Sequence, residues 1–201
     1  MLGQPESAAF ESPLERDFYV LLDFNPAVAR VEVQPVRIEY LAPDGRKTHY
    51  TPDALIFHTP ESGLNPVLCE VKPHAELAQE WEKLRPRFKA AVRHCRHEGW
   101  VFHIYTDREI RTPYLENVRF LRGYVEMAPN EIKRTLVRRH VGQHDYSTIG
   151  EVLAALCPVM TDRGPWLSLI WHMIATAELD ADLDQPLAYA TPVCLPARGP
   201  T

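Results

Sequence analysis

Residues 50 to 73 constrain this chain more than any other stretch. Tyr50-Thr51-Pro52-Asp53-Ala54-Leu55-Ile56-Phe57 and Val67-Leu68-Cys69-Glu70-Val71-Lys72-Pro73 are two short apolar runs, and the segment between them is loop chemistry rich in Pro, Gly, Ser and Asn. The pair reads as a β-hairpin. Pairing Phe57 near Pro66 or Val67 sets Asp53 beside Glu70. Side chains at i and i+2 share one face of a strand, so Glu70 and Lys72 point the same way while Val71 points into the core. Two carboxylates and an ammonium therefore converge.

Hard cations such as Mg²⁺ take oxygen ligands, and a protein site for one supplies one or two carboxylates beside the oxygens of a phosphate substrate. A lysine next to them can hold or deprotonate an attacking water while the metal stabilises charge on the phosphorus centre. An Asp and a Glu-x-Lys facing each other across a hairpin is thus a nuclease arrangement, with Asp53, Glu70 and the main-chain carbonyl of Val71 as metal ligands. The competing reading is a solvated strand face with a surface ion pair. Two features weigh against it. Asp53 opens an apolar strand where it has no packing reason to be, and Lys72-Pro73 ends the second strand abruptly, at a sheet edge suited to function.

At 201 residues the chain is long enough for a substantial core, in one large domain or two small ones. It has no apolar run of membrane-spanning length and no charged-then-apolar leader, so a non-membrane, cytoplasmic protein is expected. Cys69, Cys95, Cys157 and Cys194 are scattered with no CxxC pair, which argues against a zinc site or a disulfide framework and for small buried apolar residues. The net charge of −5 excludes coating of nucleic acid by bulk charge, and attention passes to where the basic residues cluster.

Residues 1–10 lack periodicity and read as a frayed start. From Ser12 a helix begins, with Ser12 as N-cap, Pro13 in the first position, Glu15 three residues past the cap, and Leu14, Phe18, Leu21 and Leu22 as its apolar stripe. Residues 28–33 and 34–41 read as strands of a mixed sheet broken at Pro35, with a turn at 43–46 leading into 47–51. Gln34 reads as a hydrogen-bonding residue at the sheet edge. After Lys72 a long amphipathic helix follows, carrying Lys83, Arg85, Arg87, Lys89, Arg93 and Arg96 without an acidic residue from 83 to 97; Pro86 is expected to kink or divide it. That run is either a solvated face or a set of DNA-phosphate contacts. Residues 100–107 read as a buried strand with His103 as a core histidine, and 115–121 as a short helix or strand.

The pattern changes near Gly123. Helices are predicted over 131–140, 149–156 and 166–177, the last with Leu167, Ile170, Trp171 and Ile174 as its core face, and 179–195 reads as a hairpin. Three helices and a hairpin suggest a winged-helix-like module. Asp180, Asp182 and Asp184 near the supposed wing favour a protein partner over groove reading.

Tyr-Thr-Pro-Asp-Ala-Leu (50–55) and Cys-Glu-Val-Lys-Pro (69–73), preceded by Glu-Ser-Pro-Leu-Glu-Arg-Asp-Phe (11–18) and Gln-Pro (34–35), resemble the TnsA endonuclease subunit of Tn7-like transposons, within the restriction-endonuclease-like group with the PD-(D/E)xK signature. The resemblance implies an α/β fold: a restriction-endonuclease-like mixed sheet flanked by helices over 1–125 and a small C-terminal helical, winged-helix-like, partner-binding domain over 126–201. It implies Mg²⁺-dependent cutting of the 5′ strands at transposon ends, with Mn²⁺ able to substitute, beside a transposase subunit resembling TnsB and an AAA+ regulator resembling TnsC. By the same resemblance Glu15 is catalytic and serves a second metal, whereas the local pattern makes it a capping residue; the two roles are compatible. Glu70 stands where some relatives carry Gln, which strengthens a metal ligand. The rival expectations are a stand-alone restriction or repair nuclease and a catalytically silent assembly subunit.

Overall fold

The computed structural model describes residues 12–144 and 146–196; the expected frayed start over 1–10 lies outside them. The chain divides into two compact units, one ending at Arg111 and the other beginning at Thr112.

In the first unit α1 (Pro13–Phe24) starts as its sequence dictates, with Ser12 Oγ accepting from the Glu15 amide at 3.2 Å and Pro13 in the first turn. The strands β1 (Val28–Val33), β2 (Ile38–Leu41), β3 (Lys47–Tyr50), β4 (Ala54–His58) and β5 (Val67–Val71) follow, then α2 (His74–Glu98), β6 (Val101–Tyr105) and the short α3 (Asp107–Ile110). A four-stranded sheet runs in the order β1-β4-β5-β6. The β1–β4 and β4–β5 pairs are antiparallel and β5–β6 is parallel, with α2 as the crossover that a parallel pair requires.

Alternation along the central strands sorts the core into two layers. Ala54, Ile56, Cys69 and Val71 face α1 and pack with Leu14, Phe18 and Leu22. Leu55 and Leu68 face the other way, with Leu84, Phe88, Ala91 and Cys95 of α2 and with Ile38 and Tyr50. The sheet is therefore covered on both sides, which is why β4 and β5 read as continuous apolar runs.

Three expectations are corrected here. Residues 34–41 are not one strand of the main sheet: β2 begins only at Ile38 and pairs with β3 in a separate two-stranded sheet. Gln34 holds a left-handed φ of 47° and Pro35 offers no N–H, so neither can continue β1. Pro86 does not divide α2, which runs unbroken from His74 to Glu98. The carbonyl that Pro86 orphans is that of Glu82, an exposed residue where water can satisfy it. Gly99, at φ 74°, then ends the helix in the left-handed cap that favours glycine. Finally, β6 is an edge strand rather than a buried one, and His103 is exposed, its Nε2 3.0 Å from Glu109 Oε1. Val101 is exposed as well, which gives an amphipathic strand its uniformly apolar look.

In the second unit α4 (Pro113–Leu121) leads to α5 (Glu131–Gly142), β7 (Ser147–Thr148), α6 (Ile149–Leu156), α7 (Arg163–Ala175), β8 (Asp180–Ala181) and β9 (Pro192–Cys194). Asn130 caps α5 and Thr148 forms a capping box with Glu151 at the head of α6. The three strands form a small antiparallel sheet in the order β7-β9-β8. α7 begins earlier than the predicted 166 and is buried all round in its second half, from Leu169 to Ile174.

The division falls before the predicted boundary at 125/126. α4 and the turn after it belong to the second unit: the Phe120 ring lies 5.4 Å from that of Trp171, and His172 Nδ1 donates to the Tyr124 carbonyl at 2.8 Å. Asn117 also donates through Nδ2 to the carbonyls of Leu183 and Gln185, both at 2.8 Å, which fixes the loop between β8 and β9.

Candidate active site

The β4–β5 register is Ile56 opposite Val67, Leu55 opposite Leu68 and Ala54 opposite Cys69. One further step sets Asp53 against Glu70. Asp53 is pinned on every side: its N–H donates to the Cys69 carbonyl at 3.1 Å, its own carbonyl accepts from Gln34 N–H at 2.9 Å, and its Oδ2 accepts from Val71 N–H at 2.6 Å. The left-handed turn at Gln34 is what carries that amide to the Asp53 carbonyl.

Glu70 is 5% exposed and both of its oxygens are held. Tyr50 Oη donates to Oε2 at 2.6 Å, and Arg87 Nη2 donates to Oε1 at 2.6 Å. Lys72 bonds the first turn of α2, its Nζ 2.8 Å from Glu76 Oε1, so Glu70 and Lys72 both turn toward α2 while Val71 packs beneath α1. Glu15 does reach back to its cap, accepting from Ser12 Oγ at 2.9 Å. Its charge nonetheless acts on both Asp53 and Glu70.

Removing two carboxylates from water on adjacent strands has an electrostatic consequence. Burial, then the charge of Glu70, hold the Asp53 carboxyl up at about 7; Glu15 adds to this, and the Val71 amide and Lys72 offset only part of it. Burial also raises Glu70, against the opposing pull of Tyr50, Arg87 and Lys72. Burial and the neighbouring carboxylate push the Tyr50 hydroxyl far up, so it stays a donor.

Of the six basic residues on α2, Lys83, Arg85, Lys89, Arg93 and Arg96 are exposed, and Arg85, Lys89 and Arg93 line a groove of about 430 Å³ with Tyr40, Leu41 and Pro43. Arg87 departs from the expected solvent-facing set. It is turned inward, its guanidinium 5.0 Å above the Tyr50 ring, because Glu70 demands a cation. Sequence reasoning missed Tyr50 and Arg87 as partners of Glu70, and Gln34 as the support of Asp53. The only signal for the first two lay in counting: a buried glutamate must be met by donors, and the nearest run of cations is on α2.

Among the described residues no three His, Cys, Asp or Glu side chains converge to form a metal cage. The donor set is two carboxylates met by one guanidinium, on Glu70, a balance that leaves room for a hard divalent ion whose other ligands are main-chain carbonyl, water and phosphate oxygens. Among the described residues no helix is long and apolar enough to cross a membrane.

Comparison with known proteins gave two family matches and no match among curated proteins. The model for the TnsA-like endonuclease N terminal domain matches residues 25–107, which include Asp53, Glu70 and Lys72 but not Glu15. The model for the TnsA endonuclease C terminal domain matches residues 109–183, so the two matches meet within a few residues of the division between the compact units. With both of its halves matched in order, the chain belongs to the TnsA-like endonuclease family.

Proposed function

We propose that the protein is the Mg²⁺-dependent subunit that cuts the 5′ strands at the ends of a Tn7-like transposon. The observation that carries this reading is the pair Asp53 and Glu70, a half-buried and a buried carboxylate on adjacent strands, left short of positive charge inside the matched endonuclease region. Asp53, Glu70 and the Val71 main-chain carbonyl would hold Mg²⁺, and Glu15 a second ion. The metal would supply Lewis-acid stabilisation of charge at phosphorus. The chain's own groups do the positioning. The Val71 amide and Gln34 fix Asp53, Tyr50 fixes Glu70, and Lys72, anchored by Glu76, donates to the attacking water. In the hydrolysis, water oxygen bonds to phosphorus, the P–O3′ bond breaks and the 3′ oxygen takes a proton, leaving a 5′ phosphate and a 3′ hydroxyl.

The exposed cations Lys83, Arg85, Lys89, Arg93 and Arg96 then contact the phosphate backbone of transposon-end DNA. The order helix, strand, two helices and hairpin, with sheet order β7-β9-β8, supports a winged-helix module in the second unit. Its partners are a transposase resembling TnsB and an AAA+ regulator resembling TnsC.

The test is cleavage of a duplex carrying a transposon end, with the cognate transposase and Mg²⁺, mapped to the nucleotide. A nick on the 5′ strand that is lost in Asp53→Asn supports the proposal, and the same nick in both proteins sinks it. Cutting of plain duplex by the isolated chain would point instead to a stand-alone nuclease.

A further inference from the structure

Arg87 sits in the middle of the basic run of α2, yet it is the member that faces inward, with 24% of its side chain exposed. Its Nη2 holds one oxygen of Glu70 at 2.6 Å while Tyr50 Oη holds the other at the same distance. The carboxylate assigned to a divalent cation is thus already occupied by a cation and a hydroxyl. The guanidinium is stacked within 5.0 Å of Tyr50 and 5.1 Å of Phe88. Its Nε is buried and meets no hydrogen-bond partner among the described residues. A buried donor left unmet is costly, and an arginine fork has the shape to satisfy itself on a phosphate through two parallel bonds.

We propose that Arg87 is a substrate-operated latch: it occupies Glu70 while the site is free of DNA, and passes to a phosphate of the incoming strand, which releases Glu70 to the metal. The idea rests on the nuclease reading above. A guanidinium and a divalent cation on one buried carboxylate repel each other, so the occupant of Glu70 depends on whether Arg87 has another anion to meet. DNA phosphate supplies that anion, and it arrives along the helix on which Arg85, Lys89 and Arg93 are exposed. Metal affinity and DNA affinity are then coupled, each raising the other by the same factor. Arg87 in this scheme is a positioning residue for Glu70, distinct from the surface contacts beside it.

The experiment is calorimetric titration of Mn²⁺ alone, without DNA, into the full chain and its variants. Arg87→Gln is expected to bind Mn²⁺ at least about tenfold more tightly than the wild type, because removing a buried competing charge is worth no less than one decade. Arg46→Gln, which removes a charge from the β2–β3 turn, is expected to change nothing and so controls for net charge. Should Arg87→Gln not melt cooperatively, Arg87→Lys keeps a shorter-reaching cation beside Glu70, and tightening of the same sign by about threefold is expected. Unchanged or weaker Mn²⁺ binding in the folded Arg87 variant overturns the latch. If that happens while Asp53→Asn still abolishes binding, the metal site stands and only the latch falls. No Mn²⁺ binding in either the wild type or the Arg87 variant overturns the latch, and the same silence with an end-bearing duplex present overturns the metal site as well.

Discussion

Each unit of this protein withdraws acids from water, and one cluster in each treats them differently. In the second unit Glu178, 14% exposed, is met by two guanidinium groups, Arg134 Nε at 2.7 Å and Arg138 Nη1 at 3.3 Å. In the first unit Asp53 and Glu70 lie side by side, the inward Arg87 meets Glu70, and Lys72 is drawn off by Glu76. The Glu178 cluster is compensated and ties the start of the terminal hairpin to α5. The Asp53–Glu70 pair is under-compensated, which costs stability and persists at sites that need a specific ligand to complete them.

The sharpest way to break this contrast is to neutralise one acid in each unit. Asp53→Asn keeps an oxygen for the Val71 amide but removes the charge, and is expected to lower strand cleavage by about 10³-fold or more. Its thermal stability without metal at pH 8 should equal or exceed that of the wild type. The sign follows from proton linkage. Between the ordinary 3.8 and about 7 the folded protein retains a proton on Asp53 that the unfolded chain has lost, so the site's contribution falls as pH rises through that window. Melting curves from pH 4 to 8 should therefore decline less steeply in Asp53→Asn, and Mg²⁺ should restore stability to the wild type alone.

Glu178→Gln is expected to act in the opposite sense, lowering the melting temperature of the second unit by several degrees and leaving Mn²⁺ binding untouched. It leaves Arg138 facing a neutral acceptor and Arg134 with Glu131 as its remaining acid. A rise in stability would erase the distinction between the two clusters. The smallest effect concerns the backbone beside Glu178. Ala177 holds a φ of 56°, where L side chains are strained, so Ala177→Gly should stabilise the second unit by roughly 0.5–1 kcal/mol, readable as a small rise in melting temperature.

The hairpin register was legible because its two apolar runs have matched lengths and one turn-rich joint, so Asp53 could fall only near Glu70. The helix start at Ser12 was legible through its cap. What escaped was long-range: Tyr50 and Arg87 meet on Glu70 from a separate hairpin and from α2, and no local period reveals that. Edge exposure of β6 escaped because Val101 is apolar yet uncovered, and the division at Arg111 because Thr112-Pro113 signals the start of a helix without saying which unit that helix packs with.

The central claim is that Asp53 and Glu70 form a divalent-cation site. Its most direct test is Mn²⁺ titration calorimetry on the wild type and Asp53→Asn, each with and without an end-bearing duplex. The account expects saturable binding to the wild type, strengthened by the duplex, and none to Asp53→Asn. Equal binding to both proteins, or no binding to the wild type even with the duplex present, would contradict it.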